Sequence, residues 1–551
     1  MENAKQQTGV PENAFRELKK GEQYEPLMSP DRTYKEVTVW SVLWGVLMAV
    51  VFSAASAYLG LKVGQVFEAA IPITIIAIGV TGATHRKGAL GENVIIQSIG
   101  ACSGMIVAGA IFTLPALYIL QDKYPEMTVN FIEVFIASVL GGVLGILFLI
   151  PFRKYFVKDM HGKYPFPEAT ASTQVLVSGE KGGNQALPLL VAGVVGGIYD
   201  FIIATVGWWN ESVTSRCLEW GQVLADKTKL VFKINTGAAV LGMGYIVGLK
   251  YALIICCGSV AVWWVIVPAI SWLFPDLVVS AGSSSVTASQ ASAEQIFQYA
   301  KSIGIGGIAM AGIIGIFKSR KIIMGAVGLA AQEMKGKGKS DTAVPRTQKD
   351  LPMKIIAIGS LLTLIAILLF FYFGVMEGNL LFTLTGVILV AVIAFLFTTV
   401  AAKAIAIAGM TLMTLILASV IMVGVGLKGP AGMVAALIMG GVVCTALSTA
   451  GSFITDLKIG YWLGSTPKKQ ETFKFLGTLV SAATVAGVIM ILNDTYGFTS
   501  GQLAAPQANA MAAVIEPLMS GAASVRLSPS CSHFSMFRPL PSLWACSFRS
   551  N

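Results

Sequence analysis

Charge is scarce in this chain. Lys, Arg, Asp and Glu together make 12% of its residues, where soluble domains carry roughly 25%. A soluble core of 551 residues would need a polar surface that this composition does not supply. Histidine is scarcer, with three in all. None forms a His-Glu-x-x-His pair, which removes the zinc-protease class. The seven cysteines show no metal-site spacing, and Cys256-Cys257 lies in an apolar run, so they read as membrane-core cysteines and no metal site is expected. The net charge of +10 does not point to nucleic acid, because the basic residues fall in short loops between apolar runs. Residues 1–36 lack the regions of a cleaved signal peptide and read as a cytosolic tail, with the first span as an uncleaved signal.

What the chain has is apolar length. Hydrophobic residues make 55% of it, and 58 glycines suit close helix packing, as in Gly60-x-x-x-Gly64, Gly100-x-x-x-Gly104 and Gly141-x-x-x-Gly145. Runs of about 20 apolar residues, each able to cross a hydrocarbon core of about 30 Å, recur throughout. They fall at 38–60, 69–83, 100–120, 131–151, 186–208, 230–250, 251–274, 300–317, 354–376, 378–398, 404–426, 429–450, 473–492 and 503–520. The expected fold is an all-α polytopic membrane protein of about fourteen transmembrane helices. Four basic clusters orient it: His85-Arg86-Lys87; Arg153-Lys154 with Lys158 and Lys163; Lys318, Arg320 and Lys321; Lys458, Lys468 and Lys469. All follow even-numbered spans, so they share one side with the N-terminus, and that side is cytoplasmic by the positive-inside rule. Residues 37–332 form a first transmembrane half, 333–353 a glycine- and lysine-rich cytosolic linker, and 354–521 a second half.

One internal echo joins the halves. Leu61-Lys62-Val63-Gly64 follows the first span and Leu457-Lys458-Ile459-Gly460 the twelfth, with Pro72 and Pro467 a short way on. The two copies face opposite sides, as inverted repeats do.

Polar residues at membrane depth are the candidates for function, since an ionised group there costs about 2.5–3.5 kcal/mol. In "GENVIIQSIGACSG", Glu92, Asn93 and Gln97 precede an apolar run between flanking glycines. Either a discontinuous or re-entrant helix lines a cavity there, or the residues cap the third span at the interface. Glu92 is assigned to proton coupling or substrate contact. In "MHGKYPFPEATASTQ", Pro165 and Pro167 forbid a continuous helix. Glu168 and Thr170 follow, either in a capped loop helix or in a half-helix dipping into the bundle. "SAGSSSVTASQASAEQ", 280–295, reads as a solvated linker, and Gly304-x-Gly306-x-x-Ala309 has no strand before it and is no dinucleotide site.

"AYLGLKVG", "GENVIIQSIGACSG", "FTLPALY", "HGKYPFPEATA", "DLKIGYWLGSTPKKQ" and "APQANAMAAVIE" together resemble the bacterial branch of the oligopeptide transporter (OPT) family, akin to the plant yellow-stripe-like metal–chelate transporters. The resemblance runs from Tyr34 to Gly521. It implies two related halves, no cofactor beyond a proton gradient, and inward secondary transport of small peptides or peptide-like metal chelates across a bacterial inner membrane. It adds Asp456, Lys458, Gln507 and Asn509 to the candidate path, beside Lys62 of the echo. Two departures stand out. No Asn-Pro loop precedes Gly409-Met410-Thr411, and residues 522–551 are rich in Ser and Pro without an acidic residue. That tail has the composition of a shifted reading frame or a truncation, so the chain as written is expected to transport poorly. A metal–chelate carrier is the rival within transport; a passive channel and a membrane-embedded enzyme are rivals of other classes. No facing catalytic constellation supports the enzyme.

Overall fold

A computed structural model describes residues 10–304, 314 and 345–520, except 20, 65, 67–68, 87, 128, 165, 181–185, 211, 248, 282–283, 298, 301–302, 377, 402–406, 499–502 and 504. Most of the expected span 300–317, much of the linker 333–353 and the tail 522–551 therefore lie outside the described residues.

The protein is helical throughout, as expected of a polytopic membrane chain. The chain opens with α1 (Val39–Val63), α2 (Ala70–Ala83), α3 (Leu90–Gly100), α4 (Cys102–Thr113), α5 (Pro115–Gln121), α6 (Phe131–Leu149), α7 (Pro167–Glu180) and α8 (Ala186–Phe201). Next come β1 (Ser212–Thr214), α9 (Glu219–Thr228), β2 (Lys233–Asn235), α10 (Ala238–Val247), α11 (Leu249–Val260), α12 (Val267–Leu273), β3 (Val278–Ala281) and β4 (Ser284–Thr287). From residue 353 on come α13 (Met353–Phe370), α14 (Leu380–Ala401), α15 (Ile407–Val425), α16 (Gly429–Leu463), α17 (Pro467–Tyr496) and α18 (Pro506–Met519). Among the described residues seven helical stretches are long and apolar enough to cross a membrane, with four shorter apolar helices beside them. The two small sheets are antiparallel pairs, β1 with β2 and β3 with β4. Part of the polar patch 280–295 is thus a hairpin strand, where sequence suggested only a linker.

Local chemistry sets the ends. Thr38 and Ser41 exchange side-chain and backbone hydrogen bonds in a capping box that starts α1. Left-handed Gly64 (φ 78°) and Gly464 (φ 83°) close α1 and α16, a conformation that costs other residues a Cβ clash. Prolines 467 and 506 open α17 and α18 at first-turn positions, where a missing N–H costs nothing.

Two stretches form the centre. In an apolar 18-residue part of Leu90–Gln121, 94% of the residues are buried, and in one of Gly429–Leu463, 89%; in that of Ala252–Leu273 only 6% are, and this helix lies at the periphery. Glycine brings the central helices together. A Cβ added at Gly141 or Gly145 of α6 would overlap the carbonyls of Val442 or Ala446 on α16, and one at Gly109 of α4 would overlap Thr445. Such contacts let dispersion act between backbones, which drives helix association in lipid.

The spans 100–120 and 429–450 were drawn too short. The helices begin at Leu90 and end at Leu463, so Glu92, Asn93, Gln97, Asp456 and Lys458 all lie within helices. Glu92, Asp456 and Lys458 find partners inside the protein, which a hydropathy run cannot register. The helix does break at Ala101, between α3 and α4. The N-terminal segment, from residue 10 on, packs beneath α16. Trp462 Nε1 donates to the Ala14 carbonyl at 2.9 Å, Tyr24 OH to the Trp462 carbonyl at 2.7 Å, and the Met28 amide to the Leu463 carbonyl at 2.9 Å. We call this the tail end of the bundle and the opposite one the far end. Basic side chains among the described residues gather at the tail end: Arg153 reaches Asp350, Lys158 reaches Gln348, and Arg346 and Lys469 reach Glu36, while Lys318, Arg320 and Lys321 lie outside the described residues.

Candidate functional site

α16 and α17 run antiparallel from the turn at Gly464–Thr466, so Asp456 and Lys474, at equal distances from it, face each other. They form an ion pair through Asp456 Oδ2, with side chains 2% and 0% exposed. α3 brings a third element to the pair. Gln97 Nε2 donates to Asp456 Oδ1 at 2.6 Å, and Lys474 Nζ donates to the Ser98 carbonyl at 2.7 Å. Gln470 Nε2 bonds the Asp456 carbonyl at 3.2 Å, and the Lys474 ammonium lies 5.4 Å from the Phe453 ring centre. A charge pair taken out of water needs this density of polar partners to hold. The arrangement can store, shift or release one unit of charge where three helices meet.

The other candidates are placed as follows. Glu92 sits in the first turn of α3, where Arg86 bonds it through Nε (3.0 Å) and Nη2 (2.7 Å) and Thr38 Oγ1 donates at 2.7 Å. It faces away from Gln97, as their spacing predicts. Asn93 Nδ2 donates to Thr81 Oγ1 at 3.3 Å. Pro165 lies outside the described residues. Pro167 opens α7, a helix of 14 residues, about 21 Å long and short of a full crossing. Glu168 and Thr170 are half-buried in its first turn. Lys458 is 1% exposed, with its ammonium 4.7, 5.1 and 5.7 Å from the ring centres of Tyr461, Trp462 and Phe166. It donates to the Val157 carbonyl at 2.7 Å, within the π-helical turn Tyr155–Asp159. Lys62 is half-buried at the far end, 5.9 Å from the Tyr58 ring. Gln507 Nε2 reaches the Gly64 carbonyl at 3.4 Å, and Asn509 Nδ2 the Ala505 carbonyl at 3.2 Å. The structure thus joins Gln97 to Asp456 and leaves Glu92, Lys458 and the pair Gln507–Asn509 in three other places.

Sequence reasoning missed Lys474, although the membrane-cost argument applied to Glu92 holds equally for a lone lysine opening an apolar run. It also missed Glu36 and His161. Glu36, fully buried, accepts from Ser465 Oγ (2.8 Å), the Thr466 amide (2.8 Å), Thr466 Oγ1 (2.7 Å) and Arg346 Nη1 (3.0 Å). Burial alone would raise its pKa, but the Thr466 and Ser465 hydrogen bonds, with Lys469 nearby, outweigh it and hold the carboxyl below its ordinary range. His161 Nε2 bonds the Asn13 carbonyl at 2.8 Å and Nδ1 meets Tyr461 OH at 3.1 Å. Since a carbonyl only accepts, Nε2 carries the proton and Nδ1 accepts from Tyr461. Burial, reinforced by Lys458, pushes this imidazole below its ordinary pKa.

Among the described residues no group of three His, Cys, Asp or Glu could hold a metal ion. The family model of the OPT oligopeptide transporter protein matches residues 36–544. A protein of Haemophilus influenzae, provisionally named an oligopeptide transporter, is 25% identical over 495 residues, spanning 83% of this chain and 74% of its own length. With a family match over most of its length and a bundle of membrane-crossing helices, the chain belongs to the OPT oligopeptide transporter family.

Proposed function

We propose that this protein is a secondary transporter that carries short oligopeptides inward across the bacterial cytoplasmic membrane, driven by a proton gradient, with its N-terminus in the cytoplasm. Family membership and the name of the Haemophilus relative support the substrate class. The gathering of basic side chains at the tail end supports the orientation. The observation that carries the coupling is the buried Asp456–Lys474 pair against Gln97 and Ser98 of α3. A proton arriving at Asp456 cancels its charge and loosens its hold on Lys474, whose ammonium then leans on the Ser98 carbonyl. Three helices respond, because each supplies one partner. A pump of this kind needs no bound cofactor and no covalent chemistry, which sets it apart from an enzyme.

The test is uptake into proteoliposomes of a labelled set of di- to hexapeptides and of iron–chelate complexes, with and without an inward proton gradient. Peptide accumulation that needs the gradient and collapses with a protonophore is the expected result, at a low rate for the chain as written. Accumulation of chelates in place of peptides moves the assignment to the chelate carriers. Equal flux with and without the gradient makes the protein a channel.

A further inference from the structure

The residues ahead of α13, Arg346-Thr347-Gln348-Lys349-Asp350-Leu351, cross the tail end as a strap tied at almost every position. Arg346 binds Glu36, and Gln348 accepts from Lys158 Nζ at 2.9 Å. The Lys349 carbonyl accepts from the Lys468 amide at 2.9 Å. Asp350 meets the Arg153 guanidinium with both carboxyl oxygens, Oδ2 at 3.0 Å from Nη2. The Leu351 amide donates to Glu471 Oε2 at 2.7 Å. The first four ties match a donor with an acceptor or a cation with an anion. The last also brings a second carboxyl against that of Asp350.

Glu471 stands in the second turn of α17 and is fully buried. Among the described residues its Oε1 meets no donor. The Asp350 carboxyl lies within hydrogen-bond reach of the Glu471 carboxyl, and two carboxylates in contact do not both ionise. Arg153, the cation that acts on both, already holds Asp350. On α17 itself, Lys474 is paired with Asp456 of α16, and Lys468 is partly exposed a turn earlier. None of these groups donates to Oε1. One proton does what they do not: it removes the second charge and turns the bare oxygen into a donor. Asp350 keeps its charge against Arg153, so the proton belongs on Glu471. It has a way out, because the Asp350 side chain is 28% exposed at the tail end.

We propose that Glu471 and Asp350 share one proton that latches the strap to α17, one turn from the Asp456–Lys474 pair: Glu471 Oε1–H donates to the Asp350 carboxylate, and loss of that proton to water at the tail end sets two carboxylates against each other and frees the strap. The latch does not rest on the transport reading.

Infrared spectra of the full chain in proteoliposomes test the proton directly. A protonated-carboxyl stretch that shifts in heavy water should be present at neutral pH. It should vanish in Glu471→Gln, and move or vanish in Asp350→Asn, where Arg153 is released to Glu471. No such band in the parent, a band that Glu471→Gln leaves in place, or one that Asp350→Asn leaves unmoved overturns the shared proton. Hydrogen exchange tests the latch. Corrected for intrinsic rates, exchange of the amides of 346–351 should rise severalfold as pH goes from about 6 to about 9, since the ionised pair repels. Glu471→Gln, whose amide can donate to Asp350 and accept from Leu351, should flatten the rise. A rise that persists in this variant, or no rise in the parent, overturns the latch. Should Glu471→Gln fail to accumulate in the membrane, Asp350→Asn, at the partly exposed partner, decides through the band. Neither measurement needs a substrate, so a chain that carries no peptide leaves the latch standing.

Discussion

At the scale of single residues, buried charges and their partners carry the predictions. Asp456→Asn strands the Lys474 ammonium at a site where both groups are almost fully buried. Removing one partner of such a pair costs about 3–5 kcal/mol, so the variant should lose heat stability in detergent together with uptake. Asp456→Asn with Lys474→Met should recover most of the stability, read from the thermal aggregation midpoint, and still fail to accumulate peptide against a gradient. The tail end gives a pH prediction. His161 is held neutral in the folded protein, with Lys458 and Arg16 opposing its protonation and Glu22 favouring it. A base with a depressed pKa stabilises docking fully above its ordinary value of 6.5, and that contribution fades as pH falls through the depressed value. Glu36 keeps its own contribution until the pH falls below 4.5, the ordinary value from which its carboxyl is lowered. Hydrogen exchange of residues 10–28, corrected for intrinsic rates, should therefore rise between pH 7.5 and 5.5. His161→Gln, which can donate to Asn13 and accept from Tyr461 without titrating, should flatten that rise. Glu36→Gln should lower stability at neutral pH by about 2–3 kcal/mol, through loss of charge-assisted hydrogen bonds.

At the scale of elements, glycine decides where helices meet. Gly145→Leu would push a side chain into the Ala446 carbonyl, and overpacking of this sort costs about 1–3 kcal/mol or more. The expected outcome is a lower aggregation midpoint, whereas Gly193→Leu on α8, which meets nothing within 4 Å, should leave it unchanged. The apolar runs were legible from the sequence because hydrocarbon thickness filters composition so severely. The proline-opened α7 was legible too, because proline is tolerated in a first turn and costly in a helix interior. The true ends of α3 and α16 were not. Asp456 and Lys458 read as residues beyond the twelfth span, and Glu92 as a residue of a re-entrant helix or a cap, until the groups that satisfy them, Lys474, the Val157 carbonyl and Arg86, are in view. Within the candidate site, the residues could be flagged one at a time by their cost in lipid. Which of them touch depends on partners hundreds of positions away, as Gln97 and Asp456 do.

At the scale of the whole molecule, one buried carboxylate at the tail end joins distant parts of the chain. Glu36, just before α1, binds Arg346, ahead of α13, and Thr466, between α16 and α17. Deleting residues 2–28 should leave membrane insertion intact but expose Trp462, raising the quenching of its fluorescence by iodide from the tail side; unchanged quenching would show that this segment does not cover the helix end. The length of α16 has a mechanical consequence. Its 35 residues span about 52 Å, well beyond the roughly 30 Å of hydrocarbon. It is clasped backbone to backbone where Val442 and Ala446 meet Gly141 and Gly145. That clasp is a fulcrum, and the part beyond it, about 25 Å to Leu463, is a lever arm. A tilt of about 10° at the fulcrum sweeps the tip by about 4 Å. That stroke would slide Trp462 off the Ala14 and Tyr24 contacts, while Asp456, nearer the pivot, moves less than the tip.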